Sequence, residues 1–515
     1  MGTWQDGYVS DVPYSAGFYP ELSPAYLSLL AVLLGVRPPI ADEREFTYCE
    51  LGCGRGLGPL LLAAANPHGR FHAYDFNASQ MTQAGALAER AGLANVQFDA
   101  RSFADLAASA GGAAPASFDL IVLHGVYSWV GEENRRHIAR FLRDRLKPGG
   151  LAYVSYNCMP GWAAFTPVQR LLRELVIRRP GRTDEIAVAA RGFVNALAAR
   201  GARYFAANSS VERYLEHLGE KDGSYLAHEY VNEHWDAFYH LDVAREMAEA
   251  ELEYLGSATV SDNVVGLSVP PEIAAMFAGA DPGMAETIKD FSANRRFRRD
   301  LFSREPKRLS SSQFAAEVAR MRFMLAVEPD SATTTLMTSA GELKANESIV
   351  EPILERLKTG DAAVAELATL PELAALPPEQ LLQTLSLLVE SGQLHPMRAG
   401  TAGHAASQAL NRLLIDESQR EESFQYLAAP ALGSAIFVGH VEQVLLIALR
   451  ELGSDSIAAL RDLAWARLKA QNKRLLRDGK PLESEADNIA EMEWRVGRFL
   501  DRRLPLLRRL GAIPA

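Results

Sequence analysis

Residues 49–58 read CELGCGRGLG: an acid, then glycine at 52, 54, 56 and 58, directly behind the apolar run FTYCEL (46–51). Alternate glycines after a strand let the backbone turn sharply and pass close to a ligand at the N-terminus of the next helix. The spacing differs from the dinucleotide fingerprint G-x-G-x-x-G, which would need glycine where Leu57 stands. Glu50 occupies a position that nicotinamide sites give to an apolar residue. An acid at a strand end suits a ligand that carries an ammonium or sulfonium group and no pyrophosphate.

Outward from this loop the chain alternates. Strands are predicted at FTYCEL (46–51), RFHAYD (70–75), NVQFD (95–99), FDLIVLHG (118–125) and GLAYVSYN (150–157). Helical stretches lie at 57–65, 79–91, 102–109 and 132–146, after a first helix over 24–35 that Ser23 caps. Short apolar strands alternating with helices predict a parallel sheet covered on both faces, an α/β doubly wound architecture. Asp75 ends the second strand nineteen positions past Gly56, where an acid can take ribose hydroxyls. LKPGG (146–150) precedes the fifth strand.

At 515 residues the chain is too long for one core and predicts about two to four domains. The boundaries read 1–45 for a lead-in segment and helix, 46–162 for the glycine-loop sheet and 163–305 for a helical region. A winged-helix-like unit at 306–404 and a helical C-terminal domain at 405–515 follow. LEYLGSATV (252–260) can return a strand to the sheet, which would make 163–235 an inserted helical cap. DFSANRRFRRDLF (290–302) reads as a charged helix with RRFRR on its solvated face. The C-terminal WRVGRFLDRRLPLLRRL reads as an amphipathic helix, or as a contact to an acidic peptide.

A net charge of −11 argues against a nucleic-acid binder, and the winged-helix-like outline lacks a basic recognition helix. Three cysteines, Cys49, Cys53 and Cys158, show neither disulfide nor zinc spacing, so no metal is expected. No secretion signal is visible, and the longest apolar runs are too short to span a bilayer, so a cytoplasmic location without membrane insertion is expected.

With E-x-G-x-G-x-G, Asp75 and L-K-P-G-G on one chain, the sequence resembles class I S-adenosylmethionine-dependent methyltransferases. HGVYSWV (124–130), SYNCMPGW (155–162), DFSANRRFRRDLF and the lead-in PYSAGFYPELSPAYL (13–27) narrow the likeness. They are similar to bacterial methyltransferases that carry a methyltransferase regulatory domain, among them the rickettsial-type lysine methyltransferases of outer-membrane protein. The resemblance covers roughly residues 10–305.

It implies S-adenosyl-L-methionine as cofactor, with Gly52, Gly54 and Gly56 approaching its methionine and ribose portions. Glu50 would lie near the ammonium, Asp75 on the ribose hydroxyls, Ser102 and Phe103 at the adenine, and His124 beside the methionine. Tyr14 and Phe76 join this cofactor-binding set. Ligands of open α/β sheets bind at the carboxyl ends of the strands. Tyr127, Trp129, Tyr156, Asn157 and Trp162 therefore read either as core residues at strand ends or as walls of the acceptor pocket, with aromatic faces suited to an alkyl stem and a cationic product. His228 and Glu229, in YLAHEYV, read as a solvent-facing helix side or as a base and an amine ligand. The expected activity is methylation of a side-chain nitrogen, lysine first and asparagine second, of a protein or peptide substrate by a homodimer. A small-molecule N- or O-methyltransferase and a non-catalytic S-adenosylmethionine-binding regulator are the alternatives.

Overall fold

The computed structural model describes the chain apart from residues 1–3, 6, 10–11, 13–16, 41–43, 109–116, 220, 265, 278, 399–403 and 515. Helix α1 (Pro24–Leu33) starts where the Ser23 hydroxyl accepts the Tyr26 N–H at 3.3 Å. The alternation that follows is β1 (Phe46–Leu51), α2 (Leu57–Ala65), β2 (Gly69–Asp75), α3 (Ala78–Ala91), β3 (Val96–Ala100), α4 (Phe103–Ala108), β4 (Phe118–Leu123), α5 (Glu132–Arg145) and β5 (Leu146–Asn157). After a long excursion the chain returns as β6 (Leu252–Ser257) and β7 (Phe297–Arg304). The seven strands lie in the order β3-β2-β1-β4-β5-β7-β6. β7 runs antiparallel to both neighbours and the rest are parallel, a doubly wound Rossmann-like sheet.

β1, β4 and β5 sit centrally and are buried almost throughout, as strands covered on both faces must be. One sheet face packs through Tyr48, Leu120, Tyr153 and Leu301 against α1 and α2. The other packs through Ile121, Val154, Tyr156 and Phe302 against α5 and helix α11 (His240–Glu249). Between β5 and α11, helices α6 (Thr166–Ile177), α7 (Thr183–Ala199), α8 (Arg203–Ala207), α9 (Ser209–Gly219) and α10 (Gly223–Tyr230) enclose a core of their own around Trp162, Phe165, Val194, Leu215 and Tyr230. The N-terminal hairpin, Trp4–Gln5 paired with Tyr8–Val9, is tied to this cap: Val9 N–H donates to the Asn232 side chain at 3.0 Å.

The segment 290–302 differs from the charged helix expected. Helix α13 (Pro282–Ala293; α12 is Pro271–Met276) stops at Asn294, whose φ of +45° ends the helical path. Strand β7 follows. Period-two geometry then sends Arg298, Asp300 and Phe302 to one face and Arg299, Leu301 and Ser303 to the other. The arginine-rich run is therefore partly internal: Arg298 is 4% exposed. Its guanidinium donates to Asp290 Oδ1 at 2.7 Å, Asp300 Oδ1 at 3.0 Å, Glu286 Oε2 at 2.8 Å and the Tyr254 hydroxyl at 2.9 Å. Asp300 also accepts the Tyr156 hydroxyl and lies 3.0 Å from His240 Nδ1. Burial alone would raise the Asp300 carboxyl, but Arg298 and His240 bring it down to about 2.

Beyond β7, strand Arg322–Leu325 pairs with Ala362–Ala363 and Leu394–Met397, flanked by helices Glu347–Lys358, Val364–Leu367 and Pro378–Glu390. The C-terminal region lays hairpin Tyr426–Ala429/Ser434–Phe437 and helix His404–Glu417 against α2 and α3. Three arginines near its end pair within the chain: Arg498 with Glu328, Arg502 with Asp330 and Arg503 with Glu442. No helix among the described residues is long and apolar enough to cross a membrane.

Replacing one partner in a buried ion cluster strands the others without compensation. Arg298→Met should therefore cost about 3–5 kcal/mol of stability, read as a lower urea midpoint by circular dichroism. An unchanged midpoint would show that the cluster contributes nothing net.

Candidate active site

The carboxyl ends of the parallel strands, and the opening residues of antiparallel β7, converge on a cavity of about 1050 Å³. β1 delivers Glu50 and Gly52, β2 delivers Asp75 and β3 leads to Arg101 and Ser102. β4 leads to His124, β5 ends in Asn157, and β7 opens with Phe297 and Arg299. Trp129, Trp162, Tyr214, Tyr225, His228, Glu229 and Tyr230 close the far side.

The glycine loop makes a shallow cradle. Gly52 has φ +70°, and a Cβ there would stand 2.4 Å from Val126 Cγ2, so only glycine lets β4's tip approach. Gly54 N–H donates to Asp75 Oδ2 at 2.9 Å, and Asn77 N–H donates to Asp75 Oδ1 at 2.9 Å. A carboxylate has about four acceptor sites, so Asp75, which also takes the Phe76 N–H, keeps capacity for a further hydroxyl donor. Glu50 is 8% exposed, and its Oε2 has no hydrogen-bond partner among the described residues. Burial, with Asp75 nearby, pushes its carboxyl up to about 8. A buried acid left short of partners beside an open cradle fits a ligand that brings a cation.

Several residues singled out from the sequence lie elsewhere. Tyr127 is fully buried and donates its hydroxyl to Glu246, edge-on to Phe238. It sits early in the turn Tyr127–Trp129, which sends Trp129 into the cavity instead, indole N–H on the His228 carbonyl at 3.1 Å. Tyr156 shares the parity of Val154, so it faces Asp300 rather than the cavity, while Asn157 at the strand tip reaches it. Gly56 does not line the cavity. A Cβ there would meet Ala84 and Phe98 at 2.7 Å, so this glycine serves helix-on-sheet packing. Tyr14 lies outside the described residues.

Glu50, Gly52, Gly54, Asp75, Phe76, Ser102, Phe103, His124, Trp129, Asn157, Trp162, His228 and Glu229 all line the cavity. His228 is buried rather than solvent-facing: Nε2–H donates to the Val12 carbonyl at 2.9 Å, fixing the imidazole against the lead-in segment. His124 is a flat wall. Its ring stacks on Tyr19 at 3.7 Å, Nδ1 lies 2.9 Å from the Tyr153 hydroxyl, and burial with the Arg299 charge pushes it down to about 3. It stays neutral at physiological pH.

The sequence reading missed Tyr8, Tyr19, Arg299, Tyr214, Tyr225 and Tyr230 on the cavity wall. Tyr8 is the most telling, with its ring 5.9 Å from Phe76 and 5.6 Å from His228. Burial first, then Glu229 and Asp75, raises its phenol, so it remains protonated between the two ends of the cavity. Tyr19, Arg299, Tyr225 and Tyr230 stand inside the runs GFY, RRFRR and YLAHEYV that the sequence singled out for other residues or reasons, whereas Tyr8 and Tyr214 come from segments that offered no signal. Among the described residues, no group of three or more His, Cys, Asp or Glu could hold a metal ion.

Residues 49–152 match the model of a methyltransferase domain, and residues 222–304 that of a predicted methyltransferase regulatory domain. An uncharacterised protein of Synechocystis sp., sll1526, is 36% identical over 518 residues, covering 99% of both chains. A Rickettsia prowazekii protein, RP789, is 27% identical over 326 residues, 62% of this chain and 57% of that one. PKMT2 from Rickettsia typhi, solved in complex with AdoHcy, superposes with a TM-score of 0.70 at 19% identity, over 97% of this chain and 99% of its own. The second match begins in the cap and ends on β7, so the regulatory-domain sequence includes two strands of the catalytic sheet. The chain belongs to the class I S-adenosylmethionine-dependent methyltransferases that carry a methyltransferase regulatory domain.

Proposed function

We propose that this enzyme methylates the side-chain amine of lysine in a protein or peptide. The observation that carries the reading is the continuity of one cavity from the glycine-loop cradle into an aromatic chamber with an acid in it. Trp162 lies 5.3 Å from Tyr214 and 6.4 Å from Tyr230, and Glu229 joins them on the wall. The Arg296 guanidinium stacks on two of these rings from outside the cavity lining, 4.6 Å from Tyr214 and 5.7 Å from Trp162, and holds them in place. A lysine stem and its methylated product suit such walls. The crystallised neighbour's AdoHcy supports placing the donor at the glycine end, and its PKMT2 name agrees with the lysine reading.

S-adenosylmethionine, held by Glu50, Asp75 and the Gly52–Gly54 backbone, would supply the methyl group. The protein's tasks are then alignment and proton management. An amine attacks only as the neutral base, and aromatic walls that strip water from an ammonium lower its pKa. Glu229 would receive the released proton or pass it to solvent. Asn157, which reaches the cavity from the tip of β5, would orient the nitrogen lone pair through its side-chain oxygen. The extended surface outside the sheet supports a macromolecular acceptor; a homodimer in the cytoplasm belongs to the same reading.

Incubation of the purified protein with methyl-labelled S-adenosylmethionine and size-fractionated lysate should place label on lysine of a polypeptide, found by digestion and mass analysis. Label confined to small molecules would overturn the reading, and label on asparagine would correct the acceptor. Asp75→Ala should weaken S-adenosylhomocysteine binding by about 1–3 kcal/mol in calorimetry, the scale for leaving buried hydroxyl partners unpaired. Wild-type affinity would refute the ribose assignment.

A pH dependence follows from Glu50. In the free enzyme its carboxyl holds a proton up to about 8, whereas an ammonium beside it favours the ionised form. Ligand binding below pH 8 must therefore release that proton. Affinity should rise with pH, by at most about tenfold per unit, and level off near 8. Glu50→Gln should flatten the profile; a variant that keeps the slope would assign it to another group.

A further inference from the structure

The C-terminal region reaches the cofactor loop directly. Arg55 stands between Gly54 and Gly56, both in the left-handed region, and is the one long side chain at the tip of that loop. Its guanidinium forms a two-pronged ion pair with Glu421, Nη2 to Oε2 at 2.7 Å and Nη1 to Oε1, and Nη1 also lies 3.3 Å from the Ser423 hydroxyl. Ser423 donates to Glu421 Oε1 at 2.7 Å, and the Phe424 ring covers the guanidinium at 5.3 Å. Arg55 and Glu421 both line the cavity, although 366 positions separate them.

We propose, on the reading that the cavity holds S-adenosylmethionine, that Glu421 is a positioning residue for the cofactor, acting through Arg55 on the glycine loop. A loop with three left-handed glycines in five residues has much freedom to lose when a ligand orders it. A forked, partly desolvated ion pair at its tip removes that freedom before the ligand arrives, so less of the binding free energy is spent on ordering. Glu421 thereby belongs to the support of the cofactor cradle, and the C-terminal domain completes a cradle that the family's methyltransferase segment, 49–152, does not complete by itself.

A second ion pair nearby separates this role from simple docking. Arg90 on α3 pairs with Glu417, at the end of the helix that precedes Glu421, at 3.2 Å and away from the cavity wall. The domain is held besides by Ser407 Oγ donating to the Ala64 carbonyl at 2.6 Å and by Asn66 Nδ2 donating to the Gly433 carbonyl at 2.8 Å. Loss of Glu421's charge therefore leaves the domain seated.

The test is calorimetric binding of S-adenosylhomocysteine to the full chain, as wild type, E421Q, R55Q, the double variant and E417Q, with kcat and KM for S-adenosylmethionine alongside. E421Q should bind about three- to tenfold more weakly, the range for a partly exposed charge-assisted pair, with KM raised and kcat within about twofold of wild type. The double variant should be no weaker than the worse single one, and E417Q should match wild type. Unchanged affinity in E421Q, equal losses in E421Q and E417Q, or strictly additive losses in the double variant would each overturn the proposal. Wild-type protein that fails to bind S-adenosylhomocysteine would overturn the cofactor reading itself, and the proposal with it.

Discussion

A guanidinium buried between two β-strands has to be fully paired, and Arg298 finds its partners only when five elements meet. Asp290 and Glu286 come from α13, Tyr254 from β6, and Asp300 from β7 itself, while Asp300 is held in turn by Tyr156 of β5 and faces His240 of α11. Any one of these alone would leave an uncompensated charge away from water, which costs several kcal/mol. The cluster therefore acts as a register pin. It sets β7 between β5 and β6, and so brings the opening of β7, Phe297 and Arg299, to the same edge as the carboxyl ends of the parallel strands.

That placement makes the cavity a joint product of distant segments. The catalytic sheet contributes Glu50, Asp75 and Asn157, the cap contributes Trp162, Tyr214 and Glu229, the lead-in hairpin contributes Tyr8, and the C-terminal region contributes Glu421. A sheet of this type supplies a donor site at its strand ends whatever the acceptor is. Selectivity for the acceptor has to come from what covers those ends, and here the cover is aromatic and acidic. The cap is anchored to the sheet through Trp162, whose indole N–H donates to the Arg296 carbonyl at 2.6 Å, two residues from the buried cluster.

The sheet was legible because local rules dictate it. Apolar runs of strand length, alternating with helices and punctuated by CELGCGRGLG, leave few other arrangements, and β6 was readable as a returning strand. The cradle was legible for a related reason: Glu50, Gly52, Gly54 and Asp75 stand at strand ends, where sequence position and spatial position coincide. The run 290–302 misled because its charges suggested a solvated helix, and nothing nearby in the chain announces that Asp290, Glu286 and Tyr254 will surround Arg298. Tyr127 and Tyr156 misled by a smaller margin. Each sits one or two positions from a true wall residue, and a strand's period of two or a turn's rotation decides which of the neighbours faces the ligand.

The sequence by itself determined the parallel sheet, the glycine loop and the acids at its edge, because hydrophobic period, backbone freedom and strand ends are local properties of the chain. Only the tertiary structure decided that Tyr8, Tyr214 and Glu229 share a chamber, that Arg298 is internal and that Glu421 grips Arg55. Those contacts join residues up to 366 positions apart, and their free energy appears only when the intervening elements have packed and excluded water.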